Sequence, residues 1–299
     1  MQSKFRGTGV AIVTPFTNGQ IDFDALERVV NHILDGGVEY LVVLGTTGES
    51  VTLSKKEKHQ VLEFVVKVNN KRVPLVAGFG GNYTEKLVED IKSFHFEGYD
   101  AILSVCPYYN RPTQEGLYQH FIQVAEASPV PVLLYNVPSR TASNLNAETT
   151  LRLSNANKKI IGIKEASGDM RQVMEIVWRK PKDFLVISGD DNLTLPMLSF
   201  GADGLISVIG NALPRETSDL VRAGLNDDFI TARRLHFELM PIIDQIFSDG
   251  NPAGIKGVLE ILELCGREVR LPLMPVREDT HNKLIKLIKG YDLPDAEQR

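Results

Sequence analysis

Short apolar runs recur along this chain, and each is followed by a segment with helical periodicity. The runs are rich in Val, Ile, Leu and Ala, and they lack the apolar–polar alternation of a half-exposed strand. They cover residues 9–13, 40–44, 75–79, 101–106, 132–135, 160–164, 184–188 and 204–208. Because strands that are buried on both faces have this composition, the pattern predicts a parallel sheet covered by helices.

The segments between the runs predict amphipathic helices, most clearly at residues 22–35, 55–68, 84–96, 114–127 and 171–179. Ser54 and Glu57 have the spacing of a capping box, which marks the start of the second helix. Eight strand–helix units of roughly 25–30 residues predict an α/β fold of the (β/α)8 TIM-barrel type. A doubly wound sheet is the alternative, but no Gly-x-Gly-x-x-Gly turn follows the first run.

We place the barrel in residues 1–226 and predict a helical C-terminal domain over residues 227–299. The C-terminal part has helical patterns at residues 229–247, 252–265 and 279–289. Residues 267–276 contain two prolines and predict an extended connection.

Composition excludes several classes of function. The formal net charge of −5 provides no basic surface for nucleic acid or for a membrane. No stretch approaches 18 uninterrupted apolar residues, and the N-terminal residues lack the apolar core of a signal peptide. Two distant cysteines, Cys106 and Cys265, predict buried free thiols and a cytoplasmic location.

One apolar run, residues 160–164, ends on a lysine. Buried strands rarely carry an unpaired charge, and an ammonium at the end of one would be partly desolvated, which favours the neutral amine. A neutral lysine can attack a ketone and form an imine. The alternative is that Lys164 extends into solvent, as most lysines do.

Other polar residues also follow the strands, at the face where TIM barrels carry their active sites. The Gly-Thr-Thr-Gly segment at 45–48 is either a tight turn or a set of backbone N–H groups that binds a carboxylate. Tyr135 is either a core residue or a proton carrier. Arg140 is either solvated or a carboxylate-binding group, and the tyrosines at 108 and 109 suit a surface or a subunit contact.

Several further residues have simpler interpretations. Glu49 and Glu165 are expected to be structural hydrogen-bond partners, and Asp190 with Asp191 is expected to cap a helix. The six histidines lie mostly in helical patterns and form no H-x-x-x-H or H-x-H pair, so we predict no metal site. Nor does a Gly-x-Ser-x-Gly segment mark a serine nucleophile.

Taken together, the segments GTTGE (45–49), YNVP (135–138) and IKE (163–165) resemble the pyruvate-dependent class I aldolase superfamily. Two more, PYYNRP (107–112) and NVPSRT (136–141), resemble its 4-hydroxy-tetrahydrodipicolinate synthase branch over essentially the whole chain. The resemblance implies an enzyme that condenses pyruvate with L-aspartate 4-semialdehyde, without an organic cofactor. This condensation is the first committed step toward diaminopimelate and lysine.

The resemblance also implies residue roles. Lys164 would form the Schiff base, and Tyr135 would shuttle protons. Thr47 and Tyr109 would complete a proton relay, with Tyr109 supplied by a neighbouring subunit. Backbone N–H groups of Thr46 and Thr47 would hold the pyruvate carboxylate.

The second substrate and the subunit assembly are implied in the same way. Arg140 would bind the carboxylate of the semialdehyde, and backbone carbonyls near Gly189 and Ile206 would line the pocket of the lysine. The chain would assemble as a homotetramer of tight dimers.

Many relatives are inhibited by lysine, and part of that regulatory site is matched here by Ser50, Asn82 and Tyr108. Lys55 and Lys58 stand where enteric relatives carry histidines, and Lys86 stands where they carry a glutamate, although Glu85 is adjacent. These cations would repel a lysine effector, so we predict weak or absent feedback. Two other functions stay open: a related 2-keto-acid aldolase, and a catalytically silent barrel that binds keto acids.

Overall fold

The apolar runs form a closed barrel of parallel strands in the computed structural model, which describes residues 2–291. The strands are β1 (Gly7–Ala11), β2 (Phe16–Thr17), β3 (Gln20–Ile21), β4 (Tyr40–Val43), β5 (Leu75–Gly78), β6 (Ala101–Val105), β7 (Val132–Asn136), β8 (Ile160–Glu165), β9 (Leu185–Ser188) and β10 (Gly204–Ser207). β2 and β3 form a separate hairpin, and the other strands close the barrel because β1 pairs with both β4 and β10. Closure confirms the predicted TIM barrel and excludes the doubly wound sheet.

Helices follow the barrel strands and cover the outside of the sheet. They are α1 (Phe23–Asp35), α2 (Lys55–Asn69), α3 (Thr84–Ser93), α4 (Gln114–Ala127), α5 (Pro138–Thr141), α6 (Ala147–Ala156), α7 (Met170–Arg179), α8 (Thr194–Ser199), α9 (Pro214–Leu225), α10 (Phe229–Phe247), α11 (Ala253–Ile261) and α12 (Glu278–Gly290). The predicted capping box is present: Glu57 N donates to Ser54 Oγ, and Ser54 N donates to the Glu57 carboxylate. These two bonds satisfy amides that the first turn leaves free.

The first strand begins earlier than predicted, at Gly7 rather than at residue 9. Gly7 pairs with Gly204, where the two backbones approach so closely that a Cβ on Gly204 would lie 2.0 Å from the Gly7 oxygen. Glycine has no apolar side chain, so the start of β1 gives only a weak strand signal in the sequence. The hairpin β2–β3 was not predicted, since two-residue strands have no detectable periodicity.

Side chains alternate between the barrel interior and the helix layer, as the strand period of two requires. Leu133 and Tyr135 belong to the cluster inside the barrel, whereas Leu134 between them packs in the core under the helices. Because Lys164 is level with Tyr135 on the next strand, it shares the interior face of the sheet.

Helices α10, α11 and α12 pack against one another, and α10 also packs on α9 of the barrel. α11 ends at Ile261, so the prediction of a helix to residue 265 was wrong for its last four positions. Residues 267–276 are not helical, as predicted. The division at residue 226 stays a prediction, and residues 292–299 of the proposed C-terminal domain lie outside the described residues. Within residues 2–291, none of the helices combines the length and apolar character that crossing a bilayer requires.

Candidate active site

Lys164 and Tyr135 lie side by side at the carboxyl ends of β8 and β7. The two strands pair in parallel with these residues in register. Lys164 Nζ lies 4.5 Å from the centroid of the Tyr135 ring. Both residues are buried, with exposed fractions of 5% for Lys164 and 6% for Tyr135. The alternative in which Lys164 extends into solvent is therefore wrong.

The lysine side chain has room because a glycine, Gly189, follows strand β9 directly. A Cβ on Gly189 would lie 2.9 Å from Lys164 Cε and 3.0 Å from Lys164 Cγ, so any larger residue would displace the lysine. Across the described part of the chain, no carboxylate forms an ion pair with this lysine. The amine is thus shielded from bulk water without being neutralised by a fixed acid.

Glu165 faces the opposite way and has the structural role that was predicted for it. Its carboxylate accepts hydrogen bonds from Asn136 Nδ2, from Gln172 Nε2 and from the Ser167 backbone. Burial raises the pKa of Glu165 above its ordinary value, against the effect of these hydrogen bonds. The network fixes the turn that follows Lys164.

The loop after β4 places two threonines at the mouth of the barrel. Leu44 and Glu49 bracket the loop in the left-handed region, with φ of 60° and 51°, a conformation that is costly for residues other than glycine. The amides of Gly48 and Glu49 close turns within the loop. Within residues 2–291, the backbone N–H groups of Thr46 and Thr47 have no protein acceptor, and they can therefore donate to an anion.

A cavity of about 500 Å³ opens beside this loop. Three predicted substrate-site residues line it: Thr46, Tyr135 and Arg140. Lys164 is not part of the lining but contacts it through the Tyr135 ring. Arg140 is carried by the four-residue helix α5, which sequence patterns did not predict.

Two of the three predicted regulatory residues line the same cavity. Ser50 and Tyr108 line it together with three cations, Lys55, Lys58 and Lys86. Asn82 does not line it; its Nδ2 donates to the Tyr108 oxygen at 3.2 Å. The predicted concentration of positive charge at this position is therefore present.

Of the remaining predicted site residues, this chain alone brings Ile206 to the site but neither Tyr109 nor a contact from Thr47 to Tyr135. Tyr109 is 87% exposed and does not line the cavity. Ile206 is buried inside the barrel in the same cluster as Tyr135. Thr47 is buried, and among the described residues no hydrogen bond joins it to Tyr135.

Sequence reasoning missed Asn251, which precedes α11. Its Nδ2 donates to Thr47 Oγ1 at 3.0 Å, and its main-chain oxygen accepts from Arg140 Nη2 at 3.5 Å. The Asn-Pro pair at 251–252 signals only a turn in the sequence. The connection between α10 and α11 therefore contacts the candidate site directly.

Lys256 was also missed, and it forms a buried ion pair with Glu49 at the end of the threonine loop. The lysine also donates to the Glu268 oxygen at 2.8 Å and lies 4.3 Å from the Phe16 ring centroid. Arg270 N donates to the second Glu49 oxygen at 3.0 Å. Burial lowers the pKa of Lys256, with the Glu49 charge opposing that shift. The predicted structural role of Glu49 is thus confirmed, with a partner that periodicity does not identify.

Outside the site, the helix-capping role predicted for the two aspartates at 190 and 191 is confirmed for the first and wrong for the second, while the cysteines are buried and free as predicted. The Asp190 side chain caps the short helix Asp191–Leu193, and the Asp191 carboxylate accepts from Ser207 Oγ and from Val208 N. The two cysteines at 106 and 265 are free and buried. Among residues 2–291, no three His, Cys, Asp or Glu side chains are grouped so that they could hold a metal ion.

The model of the dihydrodipicolinate synthetase family matches residues 4–291. The chain belongs to this family. The 4-hydroxy-tetrahydrodipicolinate synthase of Flavobacterium psychrophilum is 57% identical over 94% of this chain and 96% of its own length. The crystal structure of the Aquifex aeolicus dihydrodipicolinate synthase has a TM-score of 0.94 and 41% identity, covering 97% of this chain and 99% of that one.

The Acinetobacter baumannii dihydrodipicolinate synthase, crystallised in complex with pyruvate, has a TM-score of 0.92 and 38% identity, over 96% of this chain and 99% of its own. Full-length similarity at this level confirms the predicted family and the predicted function, that of a 4-hydroxy-tetrahydrodipicolinate synthase. The protein is an enzyme of the class I aldolase type, and the silent barrel is no longer an alternative.

Proposed function

We propose that this enzyme condenses pyruvate with L-aspartate 4-semialdehyde through a Schiff base on Lys164. The observation that carries the proposal is the buried pair of Lys164 and Tyr135, with 4.5 Å between the Lys164 nitrogen and the ring centroid. The buried amine has no fixed acidic partner among the described residues and is placed to act as the nucleophile, and the phenol beside it can carry the protons that imine formation moves.

The reaction begins when the Lys164 nitrogen attacks the keto carbon of pyruvate. Loss of water from the carbinolamine gives a protonated imine. The imine then draws electrons from the methyl group, which loses a proton and leaves an enamine. In this proposal Tyr135 passes these protons, and the free N–H groups of Thr46 and Thr47 bind the pyruvate carboxylate.

The enamine carbon then attacks the aldehyde carbon of the semialdehyde. The amino group of that substrate displaces Lys164 as the ring closes, which returns the free lysine and yields 4-hydroxy-tetrahydrodipicolinate. Arg140, on the lining of the cavity, is suited to bind the semialdehyde carboxylate because a guanidinium pairs with two carboxylate oxygens. The carbonyls of Gly189 and Ile206 would line the lysine's pocket.

The exposed Tyr109 supports an assembly of tight dimers within a homotetramer. A tyrosine that is 87% exposed on a loop is suited to a subunit contact. In this proposal Tyr109 of one subunit reaches the neighbouring site and extends the relay from Thr47 to solvent. The free cysteines support a cytoplasmic location.

The experiment that tests this function is an activity assay with pyruvate and a panel of aldehydes that includes L-aspartate 4-semialdehyde. We expect the semialdehyde to be the preferred acceptor, since Arg140 offers its carboxylate a charged partner. Preference for an aldehyde without a carboxylate would instead support another 2-keto-acid aldolase.

The variant Arg140→Ala should lose semialdehyde use while it keeps pyruvate binding. A charge-assisted hydrogen bond contributes about 1.5–3 kcal/mol, so kcat/KM for the semialdehyde should fall by roughly 10- to 100-fold. Trapping of pyruvate with borohydride should be unchanged. Arg171→Ala, an exposed arginine at the start of α7, is the matched control. Equal loss of both steps in Arg140→Ala would contradict the assignment.

Lysine should inhibit this enzyme weakly or not at all. Lys55 and Lys86 each lie within 3.4 Å of Asp90, and Lys86 also pairs with Glu89 at 3.2 Å. Lys58 adds a third cation to the cavity lining, so these lysines outnumber the two carboxylates and an incoming ammonium meets net positive charge. Initial rates measured against lysine concentration check this, and half-inhibition in the submillimolar range would refute it. Lys86→Glu should increase the sensitivity, whereas Lys92→Glu on the same helix should not.

A further inference from the structure

Asn251 joins two groups that the proposed function assigns to different substrates. It lies in the connection between α10 and α11 and is buried, with an exposed fraction of 8%. Its side chain holds the hydroxyl of Thr47, and its main-chain oxygen receives Arg140. We propose that Asn251 is a positioning residue that orients the Thr47 hydroxyl for proton transfer. The proposal rests on the proposed function, because Thr47 carries protons only in that reaction.

The direction of the hydrogen bond determines what the Thr47 hydroxyl can do. Asn251 Nδ2 is the donor, at 3.0 Å from Thr47 Oγ1. A hydroxyl has one proton to donate and lone pairs with which to accept. Because the amide occupies a lone pair, the threonine proton stays free for the next group in the relay. Without that donor, none of the hydrogen bonds seen among residues 2–291 would fix the orientation of the hydroxyl.

A purely structural role explains the Asn251 amide poorly. Its oxygen Oδ1 is buried and has no hydrogen-bond partner among residues 2–291. An unpaired buried acceptor destabilises the fold, so a small apolar residue would serve structure better at this position. The presence of an amide here is understandable if its N–H donor has a function at Thr47.

The side chain and the main chain of Asn251 act on different groups, and this predicts a split in the kinetics. Replacing the side chain removes the donor to Thr47 but leaves the main-chain oxygen that receives Arg140. We therefore expect Asn251→Ala to lower kcat by about 100-fold, the scale of a misplaced catalytic group. The KM for the semialdehyde should stay within about twofold of the original value, since ground-state binding is kept.

Two further variants separate positioning from folding. Asn251→Asp has the same size but offers only acceptors, so its carboxylate accepts a hydrogen bond from the Thr47 hydroxyl and ties up that proton. Its kcat should fall to a similar degree. It also gives a readable result if Asn251→Ala does not fold, which thermal melting would reveal. Ser248→Ala is the matched control, because this exposed serine lies in the same connection and bonds only to Gln245 in the structure described.

The deciding measurement is the coupling between Asn251 and Thr47. In the Thr47→Val background, where no hydroxyl remains to orient, adding Asn251→Asp should change kcat by less than about threefold. An additive loss in the double variant, or full kcat in Asn251→Asp alone, would overturn the proposal. Borohydride trapping of pyruvate is measured on the unsubstituted enzyme and on every variant. If the unsubstituted enzyme traps pyruvate and catalyses condensation, the proposed function holds even if the positioning role of Asn251 fails.

Discussion

Replacing Lys164 with alanine should abolish condensation and leave the fold intact. The side chain that would carry the covalent bond is removed, so kcat should fall by at least about 10⁴-fold, within the acceleration typical of enzymes. The melting temperature should not fall, because the variant removes a buried amine that has no carboxylate partner among the described residues. Steady-state assays and thermal melting measure the two effects separately.

Lys158→Ala is the matched control for this experiment, since this exposed lysine lies just before the same strand, β8. It should keep full activity. Substantial condensation by Lys164→Ala, or a collapse of its melting temperature, would contradict the role assigned to the lysine.

The second large effect is expected on stability, from the buried pair of Lys256 and Glu49. Lys256→Met leaves the Glu49 carboxylate buried without its cation, and breaking a buried pair in this way typically costs about 3–5 kcal/mol. The free energy of unfolding, measured with urea, should fall by this amount. Activity should fall as well, because Glu49 ends the loop that carries Thr46 and Thr47.

The double variant Glu49→Gln/Lys256→Met provides the test of mechanism. Removing both charges leaves no unpaired ion, so the double variant should be more stable than Lys256→Met alone. Lys283→Met, an exposed lysine on α12, is the matched control and should unfold normally. A double variant that is less stable than Lys256→Met would show that the pair is not what holds the loop.

The central pair of the site follows from sequence order, whereas its supports do not. Consecutive strands of a (β/α)8 barrel are neighbours and end at the same face, so residues that end the fifth and sixth runs must lie close together. This reasoning is sufficient for Tyr135 and Lys164, which are in register. It is also sufficient for the position of the threonine loop at that face.

Asn251 and Lys256 could not be predicted in this way, because their contacts join residues 204 and 207 positions apart. Helical periodicity predicts that the C-terminal segments are helices, but not which face of the barrel they cover. The available signal was a lysine next to Ile255 on an apolar helix, which indicates a buried cation without naming its partner. Likewise, Tyr109 is exposed in this chain, and its proposed contact depends on an assembly that strand order does not specify.

The most direct test of the central claim is reduction of the enzyme with borohydride in the presence of pyruvate, followed by peptide mass analysis. Reduction converts an imine into a stable secondary amine, which marks the residue that formed it. We predict one reduced pyruvate adduct per chain, located on the peptide that contains Lys164. Absence of the adduct, or its attachment to a different lysine, would contradict the Schiff-base mechanism at this site.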